Sequence, residues 1–357
     1  MPDRRITLIV LSLVILSSVA AGKPIPKDEY LVGVYYFAGW WRDLPNKWNV
    51  GGRDWRADFP ARVPTLGEYN TQLTMNREII AASSHGVDFF QILWYPQSGE
   101  PHKLNEGLRT FMASPNARRM AFTIEFVNHP PFALDTDAKW EAACREWAAA
   151  MKHPSYLRVG GRPVFKIHGA HFFLQQNGND PARVTARLDA LRRIARESGV
   201  PAPLIGGGVM SGLTTGQVVS PYDFLTTYMD MPNVPQKPEP YPYEDLIEPA
   251  QDAWKAYGEK SEKPYVPYVP SGWDPRPWKD PRPSFDLPNR LQWTAALKSV
   301  KSALDTYPKL GFPIEGGRQK ALLIYAWNEF GEGGIVAPTK GDGTMKLEVV
   351  KAVFGSR

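Results

Sequence analysis

Eight short runs of apolar, β-branched or aromatic residues punctuate the chain, and their placement constrains the fold more than any other feature. They occupy 31–37, 87–94, 120–127, 163–168, 203–208, 223–229, 264–269 and 320–327. Runs that are apolar throughout, rather than at alternate positions, suit strands buried on both faces, as in a parallel sheet. Helical patterns lie between most of them. Met75, Ile79 and Ala82 precede the second run, and Trp140, Cys144, Trp147 and Met151 precede the fourth. Val184, Leu188, Leu191 and Ala195 precede the fifth, with Asp180 and Pro181 as N-cap and first-turn residue. Trp293, Leu297, Val300 and Leu304 precede the eighth, whereas 213–222 has room only for a short helix. This alternation predicts an α/β fold, a (β/α)8 barrel, formed as one domain over 22–357 with elongated Pro- and Trp-rich loops. An open doubly wound sheet is the alternative, but the glycines at 206–208 lack the spacing of a phosphate-binding fingerprint.

Residues 1–21 read as a secretory signal. Arg4 and Arg5 precede an apolar run over 6–16, and Ser18 with Ala20, or Val19 with Ala21, form a small-x-small cleavage pattern. The run is shorter than the ~20 residues that span a bilayer, which favours a cleaved signal over an anchor. A secreted or periplasmic protein is therefore expected, with no membrane contact once the signal is removed. Cys144 is the only cysteine, so no intrachain disulfide forms, and its helical stripe marks it as inert core. The net charge of +5 arises from 42 Lys+Arg against 37 Asp+Glu without any basic run, which excludes a nucleic-acid groove. Arg183, Arg187, Arg192, Arg193 and Arg196 read as one solvated helix face. The chain is expected to act as a monomer.

A barrel carries its chemistry on the loops after the C-terminal ends of its strands. Of the 12 tryptophans, Trp40, Trp41, Trp48, Trp55, Trp94, Trp273, Trp278 and Trp327 fall there. Proline stiffens the loops at 231–243 and 271–288. Stiff loops that present indole faces make a platform for the C–H faces of sugar rings. The last run leads into Trp327-Asn328-Glu329-Phe330-Gly331-Glu332-Gly333, two carboxylates among glycines that let both face the barrel mouth. Such a pair suits glycosidic bond cleavage: one member protonates the leaving oxygen while the other serves as nucleophile or base. Burial and mutual repulsion would raise one pKa and keep an acid protonated near neutrality.

Candidate sugar contacts are Tyr36, Trp40, Trp94, His168, Tyr228, Asp230, Trp273, Trp327 and Asn328, all at strand ends or in mouth loops. Tyr35 and Tyr36 alternate, so only one faces the barrel axis. Glu125 is a further candidate, either as a second carboxylate, as a partner of a sugar hydroxyl, or as a buried group satisfied by Lys166 or a tyrosine. His168, expected as a donor to sugar, is three residues from His171, and no carboxylate nearby in sequence completes a metal set. No metal or cofactor is expected.

The segment 327–333 resembles the Trp-Asn-Glu-aromatic-x-Glu-Gly signature of glycoside hydrolase family 99. It is equally similar to the family 71 and 99-like proteins of bacterial polysaccharide loci. Gly33-Val34-Tyr35-Tyr36-Phe37-Ala38-Gly39-Trp40-Trp41 resembles the first strand of the same group. The resemblance implies an endo-α-mannosidase-related barrel that cleaves polysaccharide or glycan with retention and without metal. It gives Glu329 the role of assisting the sugar's own 2-hydroxyl and Glu332 that of acid/base for the leaving group. The chain departs from the pattern at Ala337, where the group carries an acidic residue before proline. Two other readings are a non-catalytic carbohydrate-binding barrel and a glycan-transferring protein of a polysaccharide locus.

Overall fold

The computed structural model describes residues 29–96, 103–210 and 212–355. The export signal expected at 1–21 lies outside them. The barrel strands are β1 (Leu31–Tyr36), β2 (Phe89–Trp94), β3 (Ala121–Phe126), β4 (Arg162–Ile167), β5 (Leu204–Gly208), β6 (Phe224–Thr226), β7 (Tyr265–Val266), β8 (Tyr268–Pro270) and β9 (Ala321–Tyr325). Each pairs in parallel with its neighbour, from β1 through β6 to β7, while β8 pairs with β9 and β9 with β1. The seventh run is thus split at Pro267, which has no N–H to give to a ladder. Its first half serves β6 and its second half serves β9, and the sheet closes into a (β/α)8 barrel.

The outer layer is α1 (Gln72–Ser83), α2 (Glu106–Met112), α3 (Asp137–Ala150), α4 (Ala170–Gln176), α5 (Pro181–Glu197), α6 (Tyr243–Lys260), α7 (Arg290–Thr306) and α8 (Met345–Phe354). The expected apolar stripes are the buried faces of α1, α3, α5 and α7. Asp180 caps α5 by accepting from the Ala182 N–H, and Asn289 and Gln292 form a capping box on α7. Between β5 and β6 the chain makes only a 3-10 turn at Gly216–Val218. Cys144 is fully buried, and burial pushes its thiol pKa up.

The arginines of α5 are not all solvated. Arg187 is buried and donates to the Leu134 carbonyl at 2.8 Å and to Asp137, while Arg192 bridges Asp189 and Asp223. Of the five, Arg183, Arg193 and Arg196 are exposed. An arginine can bury its stem and still reach an acceptor, which residue type alone does not reveal.

Tyr35 is the tyrosine that faces the barrel axis. Its hydroxyl donates to the Thr227 carbonyl at 2.9 Å and accepts from Lys166 Nζ at 2.8 Å, across the barrel. Tyr36 points the other way and donates to Glu78 on α1 at 2.8 Å.

Candidate active site

Beyond β9 the chain forms a small antiparallel hairpin, β10 (Asn328–Glu329) with β11 (Gly334–Ile335). The Glu329 carbonyl accepts from the N–H groups of Glu332 (3.0 Å) and Gly333 (2.9 Å), which makes the turn tight. Gly333 adopts φ +86°, a left-handed conformation that glycine takes without steric cost. Gly331 is needed for space, since a Cβ there would lie 2.0 Å from the Trp278 indole. The hairpin is tied down on every side. The Asn328 side chain accepts from the Phe37 N–H and donates to the Phe37 carbonyl, both at 2.8 Å. The Asp274 N–H donates to the Glu332 carbonyl at 2.5 Å. Lys346 of α8 donates to the carbonyls of Ser271 (2.9 Å) and Ile335 (2.8 Å).

This anchoring carries Glu329 and Glu332 to the mouth. Tyr228 at the end of β6 donates to Glu329 Oε1 at 2.7 Å, and Tyr325 donates to Glu332 Oε2. The two tyrosine rings meet edge to face at 5.0 Å. Arg282 lies 3.3 Å from Glu332 Oε1. Glu329 is 5% exposed, and burial, then the charge of Glu332, raise its pKa to about 8. Burial also raises Glu332, partly offset by the Tyr325 hydrogen bond and by Arg282. The pair therefore holds a proton at neutral pH, and its two titration steps belong to the pair.

A second polar cluster lies beside it. Glu125 and Lys166 are register partners on β3 and β4, both wholly buried, with Nζ 3.0 Å from Oε1. His168 Nδ1 is 2.6 Å from the same oxygen. Burial pushes Glu125 up, but Lys166 and the His168 bond outweigh it and the carboxyl ends below its ordinary value. Burial lowers His168 despite Glu125, so the ring is neutral at pH 7. An ionised carboxylate only accepts, so Nδ1 carries the proton and Nε2 is left as an acceptor. His168 packs 4.9 Å from the Tyr228 ring and is the part of this cluster that reaches the mouth. It would thus accept from a sugar hydroxyl, not donate to one.

Several expected sugar contacts are packing residues instead. Glu125 is the buried carboxylate paired with Lys166, one of the alternatives above, and reaches the site only through His168. Tyr36 and Trp327 both hydrogen-bond Glu78, Trp327 through Nε1 at 3.0 Å, outside the barrel wall. Trp94 donates to Glu146 on α3. Trp40 donates to the Asn328 carbonyl and packs on Trp48, Trp55 and Phe330 beneath the mouth loop. Trp273 is 2% exposed and donates to the Pro283 carbonyl. Asn328 is a buried strut. Among the eight loop tryptophans only Trp41 and Trp278 keep partial exposure. Asp230 is mostly buried at the β6 end, caps the Met231 N–H at 3.0 Å, and is raised by burial.

The structure adds residues that carried no sequence signal of their own. Burial, then the charges of Glu329, Glu125 and Glu332, push Tyr95 well above its ordinary pKa, so its buried hydroxyl lies within reach of their field. Tyr325, Arg282 and Lys47 also act on the pair. Among the described residues no three His, Cys, Asp or Glu side chains group as a metal site.

No protein-family profile and no curated protein sequence matches the chain. Solved structures do match in fold. The GH99 endo-alpha-mannosidase from Bacteroides thetaiotaomicron is 13% identical, with 90% of this chain and 95% of that one covered at a TM-score of 0.60. The same enzyme in complex with BIS-TRIS-propane gives 0.57 over the same shares. A fungal beta-1,4-galactanase, also 13% identical, gives 0.51 over 90% of this chain and 99% of its own. These likenesses establish the class of fold, a barrel of the kind found in glycoside hydrolases.

Proposed function

We propose that the protein is an exported glycoside hydrolase that cleaves glycosidic bonds within a polysaccharide or glycan, by the retaining, metal-independent route of endo-α-mannosidases. The observation that supports it most is a buried pair of glutamates at the C-terminal mouth of a (β/α)8 barrel, each held by a tyrosine hydroxyl and sharing a proton at neutral pH. Glu329 takes the proton of the sugar's 2-hydroxyl as that oxygen attacks the anomeric carbon. Glu332, which is more exposed, protonates the departing oxygen and later takes a proton from the water that attacks the anomeric carbon, while the 2-oxygen leaves that carbon and recovers its proton from Glu329. The two carboxyls share one proton, and hydroxyl donors brought by the substrate favour the arrangement in which Glu329 is ionised and Glu332 protonated.

Replacement of Glu329 or Glu332 by glutamine is expected to lower turnover by about 10²–10⁴-fold, with the fold and glycan retention kept. The measurement is oligosaccharide release from α-mannans, α-glucans and bacterial polysaccharides. An aryl glycoside with a good leaving group needs no acid, so it should restore turnover in Glu332→Gln and not in Glu329→Gln. For the wild type, kcat/KM should fall as pH rises past about 8, where the pair loses its last proton. Full turnover in either variant would overturn the assignment. Equal glycan retention without release by wild type and variants would identify a binding barrel.

A further inference from the structure

Two cations stand beside the carboxylate pair, and each is held by an aromatic platform. Lys47, in the loop after β1, has its backbone fixed by two indoles: its carbonyl accepts from Trp55 Nε1 at 2.8 Å and from Trp278 Nε1 at 3.1 Å. Its ammonium lies 4.6 Å from the centre of the Trp278 ring and 5.4 Å from that of Phe37. It is close enough to act on both Glu329 and Glu332, yet among the described residues no carboxylate lies within 4.0 Å of it. Arg282, in the loop after β8, is oriented by Asp280, with Nε 3.0 Å from both oxygens and Nη2 2.7 Å from Oδ2. Its guanidinium covers the Trp273 face at 4.5 Å and its side chain is 44% exposed. Nη2 touches Glu332, and Nη1 makes no hydrogen bond among the described residues.

Cations that served only to balance the two glutamates would spend their hydrogen bonds on them. Lys47 instead rests on an indole whose edge abuts Gly331, between the two glutamates, and Arg282, which contacts Glu332 through Nη2, leaves Nη1 without a hydrogen bond among the described residues. A neutral sugar offers such groups only hydroxyls. An anionic group offers charge-assisted hydrogen bonds, which are shorter and about twice as strong. An arginine fork in particular matches a planar or tetrahedral oxyanion.

We propose that the glycan bound across Glu329 and Glu332 carries an anionic substituent, a sugar carboxylate or a sulfate ester, that Lys47 and Arg282 take. This names the substrate class of the site proposed above and rests on that reading for where the chain lies.

Affinity electrophoresis tests it with matched polymers: polygalacturonate against its carboxyl-reduced form, and a sulfated galactan against its desulfated form. Wild type should bind one native polymer about tenfold or more tightly than its neutralised partner. Which polymer pair shows the difference identifies the anion. Lys47→Gln and Arg282→Gln should each lose that preference, Arg282→Lys should keep part of it, and Arg196→Gln on the outer face of α5 should leave it intact. Thermal unfolding confirms that the variants are folded. Equal binding of native and neutralised polymers, unchanged binding in both glutamine variants, or no binding of either acidic polymer would overturn the proposal. Release from a neutral polysaccharide alone would overturn it and leave the glycosidase reading standing. Acid-selective binding with no release from any polymer would do the reverse.

Discussion

Glu125 shows how far a single side chain depends on its partners. One oxygen serves both Lys166 and His168, and the other has no hydrogen-bond partner in a fully buried setting. Two opposite charges taken wholly out of water hold only while both are present. Glu125→Gln leaves Lys166 as an uncompensated buried cation and should cost about 3–5 kcal/mol of unfolding free energy. Adding Lys166→Met to it should recover more than half of that loss. Urea unfolding of the two single variants and the double variant gives the coupling directly; additive losses would mean that the pair is not a unit.

At the scale of elements, the β10–β11 hairpin matters more than any barrel strand. Its own ladder pairs only Asn328 with Ile335 and Glu329 with Gly334, so its position comes from outside. Lys346 joins it to the end of β8. Arg62, itself buried, binds the Asp274 carboxylate and carbonyl, and Asp274 in turn holds the Glu332 carbonyl. Lys346→Met would strand two buried carbonyls, each worth about 1–3 kcal/mol. The urea midpoint should fall accordingly, and kcat should drop more than KM rises, since the loss concerns where Glu332 stands and not the sugar contacts. An unchanged kcat in a destabilised variant would show that the lysine only supports the fold.

The whole molecule carries the imprint of its buried acids. Glu78 accepts from Trp327 and Tyr36, yet burial raises it to about 7, and Glu329 lies at about 8. Unfolded, both would ionise near 4.5. Folded pKa values above the unfolded ones stabilise fully below pH 4.5, and this stabilisation is lost as pH rises through 7 and then 8. Glu125 and Asp274 are shifted the other way and lose stabilisation only in acid. Thermal stability should therefore decline from about pH 5 to pH 8, above which Lys346, lowered to about 8 by burial, acts in the opposite sense. Glu78→Gln should flatten the decline by up to about 3 kcal/mol, from about 7 against the ordinary 4.5. A flat profile in the wild type would contradict the buried acids.

What the sequence by itself determined was the alternation that closes the barrel and the place of the two glutamates at its end. Apolar runs and helical stripes are local, and so are the glycines around Glu332. Even there Pro267 divided the seventh run in a way that periodicity does not reveal, since one half pairs forward and the other back. Tertiary structure alone decided which aromatics line the mouth. Trp40, Trp94, Trp273 and Trp327 look alike in sequence to Trp278, and all five indoles find an acceptor, yet only Trp278 stayed partly open, beside Lys47. Tyr95, Tyr325, Lys47 and Arg282 join the site from four separate segments. Burial, charge balance and hydrogen-bond partners are properties of the space between segments, so they exist only once the barrel has brought those segments together.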